Sequence, residues 1–175
     1  AIPSGVKEEL EIKVKTCVYR AICALGVNHG SVNMDLLITN GGNVHIIDIG
    51  ARMGGNLIGS HIVPIGTGID YMGNMIRAAV SDPTCWKPEC QPRSVATKLL
   101  ALTPGKVKEL PDFDQISSKY DVQIEHHLHV GDAITPYRTN LDGCGYVVSC
   151  GYDVDNCIAL ATDVRKVIDE SIIRE

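Results

Sequence analysis

Two aspartates set the chemistry this sequence could carry. Asp35 and Asp48 flank the run Asn40-Gly41-Gly42-Asn43, which separates two β-branched and aliphatic stretches, 32–39 and 44–49. Such a run between strand-like segments is a strong hairpin signal. With Gly41 and Gly42 as a two-residue loop, Asn40 opposes Asn43, and counting back along the ladder sets Asp35 opposite Asp48. Their Cβ atoms would then lie about 4.5–5.5 Å apart on one face. Positions 34, 36, 38, 45, 47 and 49 make the other face, a mostly apolar set suited to packing inward. Aspartate is disfavoured in strands, and like charges facing across a ladder repel. A hard divalent cation offsets that cost, since Mg²⁺ takes one or two carboxylates together with phosphate oxygens. A solvated edge, with both charges screened or paired to Arg or Lys, accounts for the spacing equally well.

The residues after Asp48 add a cation and glycines: Gly50, Arg52, Gly54 and Gly55 follow within one short stretch. A guanidinium and the backbone N–H groups of such a loop can converge on an anion, although a glycine-rich loop with one Arg is as often an ordinary turn. The remaining candidates are weaker. On a strand, His127 and His129 would share one face and His126 the other, so at most two converge and no third ligand is near in sequence. These three are read as solvated or core histidines. His61, after Gly59-Ser60, is read as a loop histidine, and Lys98, Lys106 and Lys108 as surface charges. No cysteine has a nearby His or Asp that would make it a nucleophile.

The elements that must position these residues follow from periodicity. Ser4 is a candidate cap, and apolar positions from Val6 to Leu25 recur at helical spacing up to Gly26. Residues 52–68 read as glycine-rich loop with at most a helical turn, and 69–80 as a helix closed by Asp82-Pro83. The Pro-rich stretch 83–92 is the best internal boundary, dividing residues 1–82 from 83–175. Beyond it, 95–102, 107–110, 122–130 and 146–150 read as strands, 113–118 as a helical turn, and 154–168 as an amphipathic final helix. Helices mixed with antiparallel strands make the class α+β.

Composition narrows the partners. A net charge of −5 argues against nucleic acid, which needs a basic face. One Phe and one Trp make a base-stacking platform improbable. No apolar run reaches membrane-spanning length and no signal peptide is recognisable. Seven cysteines without a CxxC pair fit reduced thiols and a cytoplasmic location better than a disulfide framework. The opening Ala1-Ile2-Pro3-Ser4, without Met, reads as a cut inside a longer protein.

Taken in order, these pieces resemble the ATP-grasp superfamily. That family carries an acidic residue on one strand, about a dozen residues of hairpin, and then Glu-x-Asn-x-Arg-x-Gly-Gly; Asp35, Asp48, Arg52, Gly54 and Gly55 match it. Both acids are Asp where the family usually has Glu, and Gly50 stands where it often has Asn. Thr67-Gly68-Ile69-Asp70 resembles the same tetrad of biotin-carboxylase-like members. Pro104-Gly105-Lys106-Val107, Val130-Gly131-Asp132 and Gly145-Tyr146-Val147-Val148 resemble the small C-terminal domain of the superfamily's amino-acid ligases. The resemblance implies a second ATP-grasp lobe over 1–82, an antiparallel sheet with helices, and a small α+β ligase domain over 83–175. It implies ATP and Mg²⁺ as cofactors, with Mn²⁺ as a substitute. Asp35 and Asp48 would be metal ligands, Arg52 catalytic, and Gly54 and Gly55 would admit the cofactor or substrate to the backbone. The activity implied is ATP-dependent joining of a small-molecule carboxylate to an amine. Its other partners would be the N-terminal lobes of the same protein, without which the chain is expected to be inactive; a homo-oligomer is compatible with it. The rival class is a non-catalytic cation-binding or docking module of the same fold.

Overall fold

The computed structural model describes residues 1–175. The chain divides into two compact units, Ser4–Pro92 and Arg93–Glu175, the second completed by Ala1–Pro3 through a bridge between Ile2 and Val95. All paired strands are antiparallel and helices intersperse them, so the class is α+β.

The first unit opens with α1 (Glu8–Ala24). Its start differs from the expected Ser4 cap. Gly5 takes a φ of +69°, and the Ser4 hydroxyl accepts from Val6 N at 3.3 Å, closing a local turn ahead of the helix. Strands β1 (Asn33–Ile38) and β2 (Val44–Gly50) then form a two-stranded hairpin on which α1 lies, against β2. A π-helical turn (Ile58–Ile62) runs directly into α2 (Val63–Thr67), where sequence alone suggests loop. Helix α3 (Tyr71–Ala79) is capped by Asp70, whose side chain accepts from Gly73 N at 2.9 Å and pairs with Arg77 at 3.1 Å. The Pro-rich stretch stays with this unit, and the contact boundary falls at Pro92/Arg93. What pins it is Asn74, fully buried on α3, which accepts from Cys85 N at 2.8 Å and donates to Cys85 O. Glu89 N adds a bond to Gly68 O at 2.7 Å.

The second unit contains β3 (Ser94–Leu99), β4 (Gly105–Glu109), α4 (Phe113–Tyr120), β5 (Gln123–His126), β6 (Ala133–Ile134), β7 (Gly145–Gly151), α5 (Val154–Ser171) and β8 (Ile173–Arg174). Its strands form two sheets of order β3-β7-β5 and β6-β4-β8. Cys157, Ala161, Val164 and Ile168 recur on α5 at helical spacing and are buried. Ala161, Val164 and Ile168 close a core with Leu100, Val107, Val147 and Ile172. The Asp169 carboxylate accepts from Thr103 N and Oγ1, both at 2.9 Å, and from Arg174, tying the end of α5 to the β3–β4 connection and to β8. The strand expected over 122–130 ends at His126. A turn closed by Asp132 N to His129 O at 3.2 Å, with Gly131 at φ +97°, bends the chain away.

Candidate functional site

Asp35 and Asp48 are direct partners across the β1–β2 ladder, but by a route other than the two-residue loop. Thr39 N bonds Asn43 O at 3.0 Å and Gly42 N bonds Thr39 O at 2.9 Å, so the loop is three residues long, 40–42. Gly42, at φ +73°, supplies the left-handed residue that such a loop requires. This shifts the pairing near the turn: Ile38 meets Val44, Leu37 meets His45 and Leu36 meets Ile46. A β-bulge between Asp35 and Leu36, with Ile47 as the extra residue, restores the register, so Asp35 meets Asp48, Met34 meets Ile49 and Asn33 meets Gly50. The two irregularities cancel at the aspartates. They do not cancel for the packed face: Ile47 is 66% exposed and His45 lies opposite the exposed Leu37, both contrary to the inward positions expected.

Both carboxylates are exposed, and neither makes an ion pair or hydrogen bond within the protein. Two opposed carboxylates with no cationic partner suit a hard divalent ion that completes its shell with phosphate oxygens and water. An all-protein cage is not built, since no three His, Cys, Asp or Glu side chains are grouped to hold a metal. The donor set fits Mg²⁺ in company with a nucleotide.

Arg52 follows β2 in a tight turn, its N–H bonding Gly50 O at 2.8 Å. The side chain is exposed and lies over Gly50, while Nη1 donates to Met53 O at 2.9 Å. The two glycines after it differ. A Cβ on Gly54 would fall 2.8 Å from Asn33 Oδ1 and 3.1 Å from the Ile58 side chain, whereas one on Gly55 would meet nothing within 4 Å. Gly54 is therefore needed for packing inside the unit, and Gly55 presents bare backbone to open space. Asn56 and Leu57 then both adopt left-handed φ, 54° and 62°, before the π-helical turn, in which Ile62 N reaches back to Leu57 O at 3.0 Å. A left-handed Leu is costly, and both it and a π-turn concentrate at functional sites. Sequence reasoning missed this segment: Asn56 tolerates such a φ, but nothing about Leu57 announces it. It also left Asn33 without a role, although strand alternation alone puts it on the aspartate face.

The other candidates fall outside this constellation. His61 Nδ1 is hydrogen-bonded to Ser60 Oγ at 2.9 Å in the π-helical turn. His126 stacks on Phe113 with ring centroids 3.8 Å apart, and burial, followed by the neighbouring His129 and His127, holds its pKa below the usual imidazole value. His129 lies 3.6 Å from Asp132, and Lys106 lies 3.6 Å from Glu175.

The family described as L-amino acid ligase C-terminal domain 2 matches residues 98–170. No curated protein sequence matches the chain. Among solved structures, an L-amino acid ligase from Bacillus licheniformis superposes with a TM-score of 0.82 at 22% identity, over 99% of this chain and 45% of that one. A phosphoribosylglycinamide synthetase from Anaerococcus prevotii gives 0.77 at 24% identity, over 99% and 44%. An N5-carboxyaminoimidazole ribonucleotide synthetase from Thermotoga maritima gives 0.73 at 16%, over 99% and 45%. The chain thus spans less than half the length of the solved proteins it matches. Residues 98–170 are thus similar to L-amino acid ligase C-terminal domain 2, and the chain as a whole shares its fold with the matched parts of these solved structures.

Proposed function

We propose that this chain is the C-terminal part of an ATP-dependent ligase that activates a small-molecule carboxylate as an acyl phosphate for attack by an amine. The observation that carries the reading is the opposed, unpartnered pair Asp35 and Asp48 at the end of the hairpin from which Arg52, Gly54 and Gly55 lead. The two carboxylates would hold Mg²⁺, or Mn²⁺ in its place, which neutralises charge on the ATP phosphates. Asp48 is the better placed in sequence, next to the Arg52 turn, to serve two ions. Arg52 retains guanidinium N–H groups beyond the one given to Met53, and these stabilise charge on the transferring phosphoryl group. The open backbone at Gly55 admits substrate or cofactor closely, and Gly54 keeps that backbone in place by packing on Asn33. The nucleotide-gripping lobes would be this chain's partners in the whole protein, and the acid and amine would be selected by loops of this chain together with those lobes. Seven free cysteines support a cytoplasmic setting for this chemistry.

One observation favours a second reading, a non-catalytic cation-binding or docking module: Gly50 contributes no side-chain ligand beside Asp48. The same experiment separates the two. In the whole protein, Asp48→Asn should abolish ADP release that depends on both acid and amine and weaken Mn²⁺ binding seen by electron paramagnetic resonance, with the melting temperature unchanged. Turnover close to that of the unaltered protein would exclude the metal role.

A further inference from the structure

Next to the rung of Asp35 and Asp48, on the side of the Arg52 turn, stands the pair Asn33 and Gly50. The register is regular over these pairs, because the bulge falls beyond Asp35. Alternation therefore puts positions 33, 35, 48 and 50 on one face. The Asn33 side chain is half-buried and makes no hydrogen bond within the protein. Polar side chains withdrawn from water ordinarily find a partner. The neighbours of Asn33 give it room and no partner. Gly50 carries no side chain opposite it, and a Cβ on Gly54 would fall 2.8 Å from its Oδ1. Arg52 lies over Gly50, but its Nη1 is given to Met53 O.

We propose that the Asn33 amide oxygen is a third protein ligand for the divalent ion of Asp35 and Asp48, an inference that rests on reading that pair as a Mg²⁺ site. No third His, Cys, Asp or Glu side chain is grouped with the two carboxylates. A third side-chain oxygen has to come from a neutral group, and Asn33 is the one polar side chain on the adjacent rung. Residues two apart on a strand are about 6.4–6.8 Å from each other, and diagonal cross-strand pairs about 7–8 Å. Side chains of this length close such spans onto an ion that sits about 2.0–2.1 Å from each oxygen. An amide oxygen is a hard donor that adds no third negative charge, so it does not oppose the phosphates that share the ion. Asn33 thus supplies from β1 the side-chain oxygen that Gly50 does not supply from β2.

Electron paramagnetic resonance of Mn²⁺ bound with ADP to the whole protein tests this. Asn33→Leu keeps the size of the side chain and removes its oxygen. It should weaken Mn²⁺ binding by about tenfold or more, with the melting temperature nearly unchanged. Asn33→Asp returns an oxygen and should bind Mn²⁺ at least as tightly as the parent. In protein carrying ¹³C-labelled asparagine, the bound Mn²⁺ should couple to a carboxamide carbon, and that coupling should vanish in Asn33→Asp. Parental Mn²⁺ affinity in Asn33→Leu, beside weakened binding in Asp48→Asn, would overturn the role of Asn33 and leave the metal reading standing. Parental affinity in Asp48→Asn as well would overturn both. A lowered kcat in Asn33→Leu with unchanged Mn²⁺ affinity would make Asn33 a positioning residue for Arg52, not a ligand. Should Asn33→Leu unfold, absence of the ¹³C coupling in the parent would by itself overturn the proposal.

Discussion

At the residue scale, the site depends on side chains that the fold does not otherwise require. Arg52 is exposed, and its one side-chain bond goes to the adjacent Met53 carbonyl. Exposed contacts of that kind contribute little to stability, about 0–1 kcal/mol for an ion pair. If Arg52 faces a phosphoryl group in the closed enzyme, its loss falls on the step in which charge moves. Lysine cannot replace it there, because only the guanidinium forks across two oxygens. Arg52→Lys in the whole protein is therefore expected to lower kcat by about a hundredfold with an unchanged melting temperature. Normal turnover, or a general loss of stability, would make Arg52 structural. The neighbouring glycines give a sharper contrast. Gly54→Ala drives a Cβ into Asn33 and Ile58 and should cost about 1–3 kcal/mol, the range for overpacking. Gly55→Ala meets open space, so thermal denaturation should leave it at or slightly above the parent, with the defect confined to a raised KM for nucleotide or acid. Equal destabilisation by both would remove the distinction.

At the scale of elements, the β1–β2 hairpin and the Pro-rich stretch show how local irregularity serves placement. The three-residue loop alone would have displaced Asp48 from Asp35, and the bulge at Ile47 returns it. Bulges re-aim side chains near functional sites, and here one keeps two like charges in register. The stretch 83–92 has no regular structure of its own; it is held through the Asn74 amide, which satisfies both backbone groups of Cys85 from a fully buried position. Asn74→Ala leaves both without partners and opens a small cavity. About 2 kcal/mol of stability should be lost, since two hydrogen bonds go, each worth about 0.5–1.5 kcal/mol net. Limited proteolysis should then cut between residues 83 and 92 before any other site, and an unchanged cleavage pattern would show that the prolines and the Glu89–Gly68 bond hold the stretch without Asn74.

For the whole molecule, the two units differ in how completely each closes a core. Residues 93–175 bury a contiguous set around α5, whereas residues 4–92 bury one hydrophobic side chain, Ile62, and expose Ile12, Leu37 and Ile47. A domain of the first unit's size ordinarily buries more than half the surface its unfolded chain exposes. The prediction at this scale concerns activity. The 175-residue chain should release no ADP with any acid and amine, because it presents the carboxylate pair without a second lobe to grip the nucleotide. Adding the remainder of the protein, in one chain or as a separate piece, should restore turnover. Measurable ATP hydrolysis by the 175 residues alone would place a complete nucleotide site within them.

What the sequence by itself determined is the set of periodic elements and the residues that share a strand face. The alternation around Asn40-Gly41-Gly42-Asn43 was enough to mark the hairpin and to put Asp35 and Asp48 on its two strands, and helical spacing was enough to place α5, since both signals are local and repeat along the chain. The α+β class followed from the same patterns. Tertiary structure alone decided the rest. The three-residue loop and the bulge that cancels its shift, and with them the pairing of Asp35 with Asp48, depend on the ladder as a whole. The left-handed Leu57 and the π-helical turn have no local propensity behind them. The different duties of Gly54 and Gly55 come from what stands opposite each, Asn33 and Ile58 in one case and open space in the other. A glycine in a sequence reports only that a side chain is missing. Whether a neighbour or a ligand needs that room is decided by atoms that the fold brings in from elsewhere in the chain.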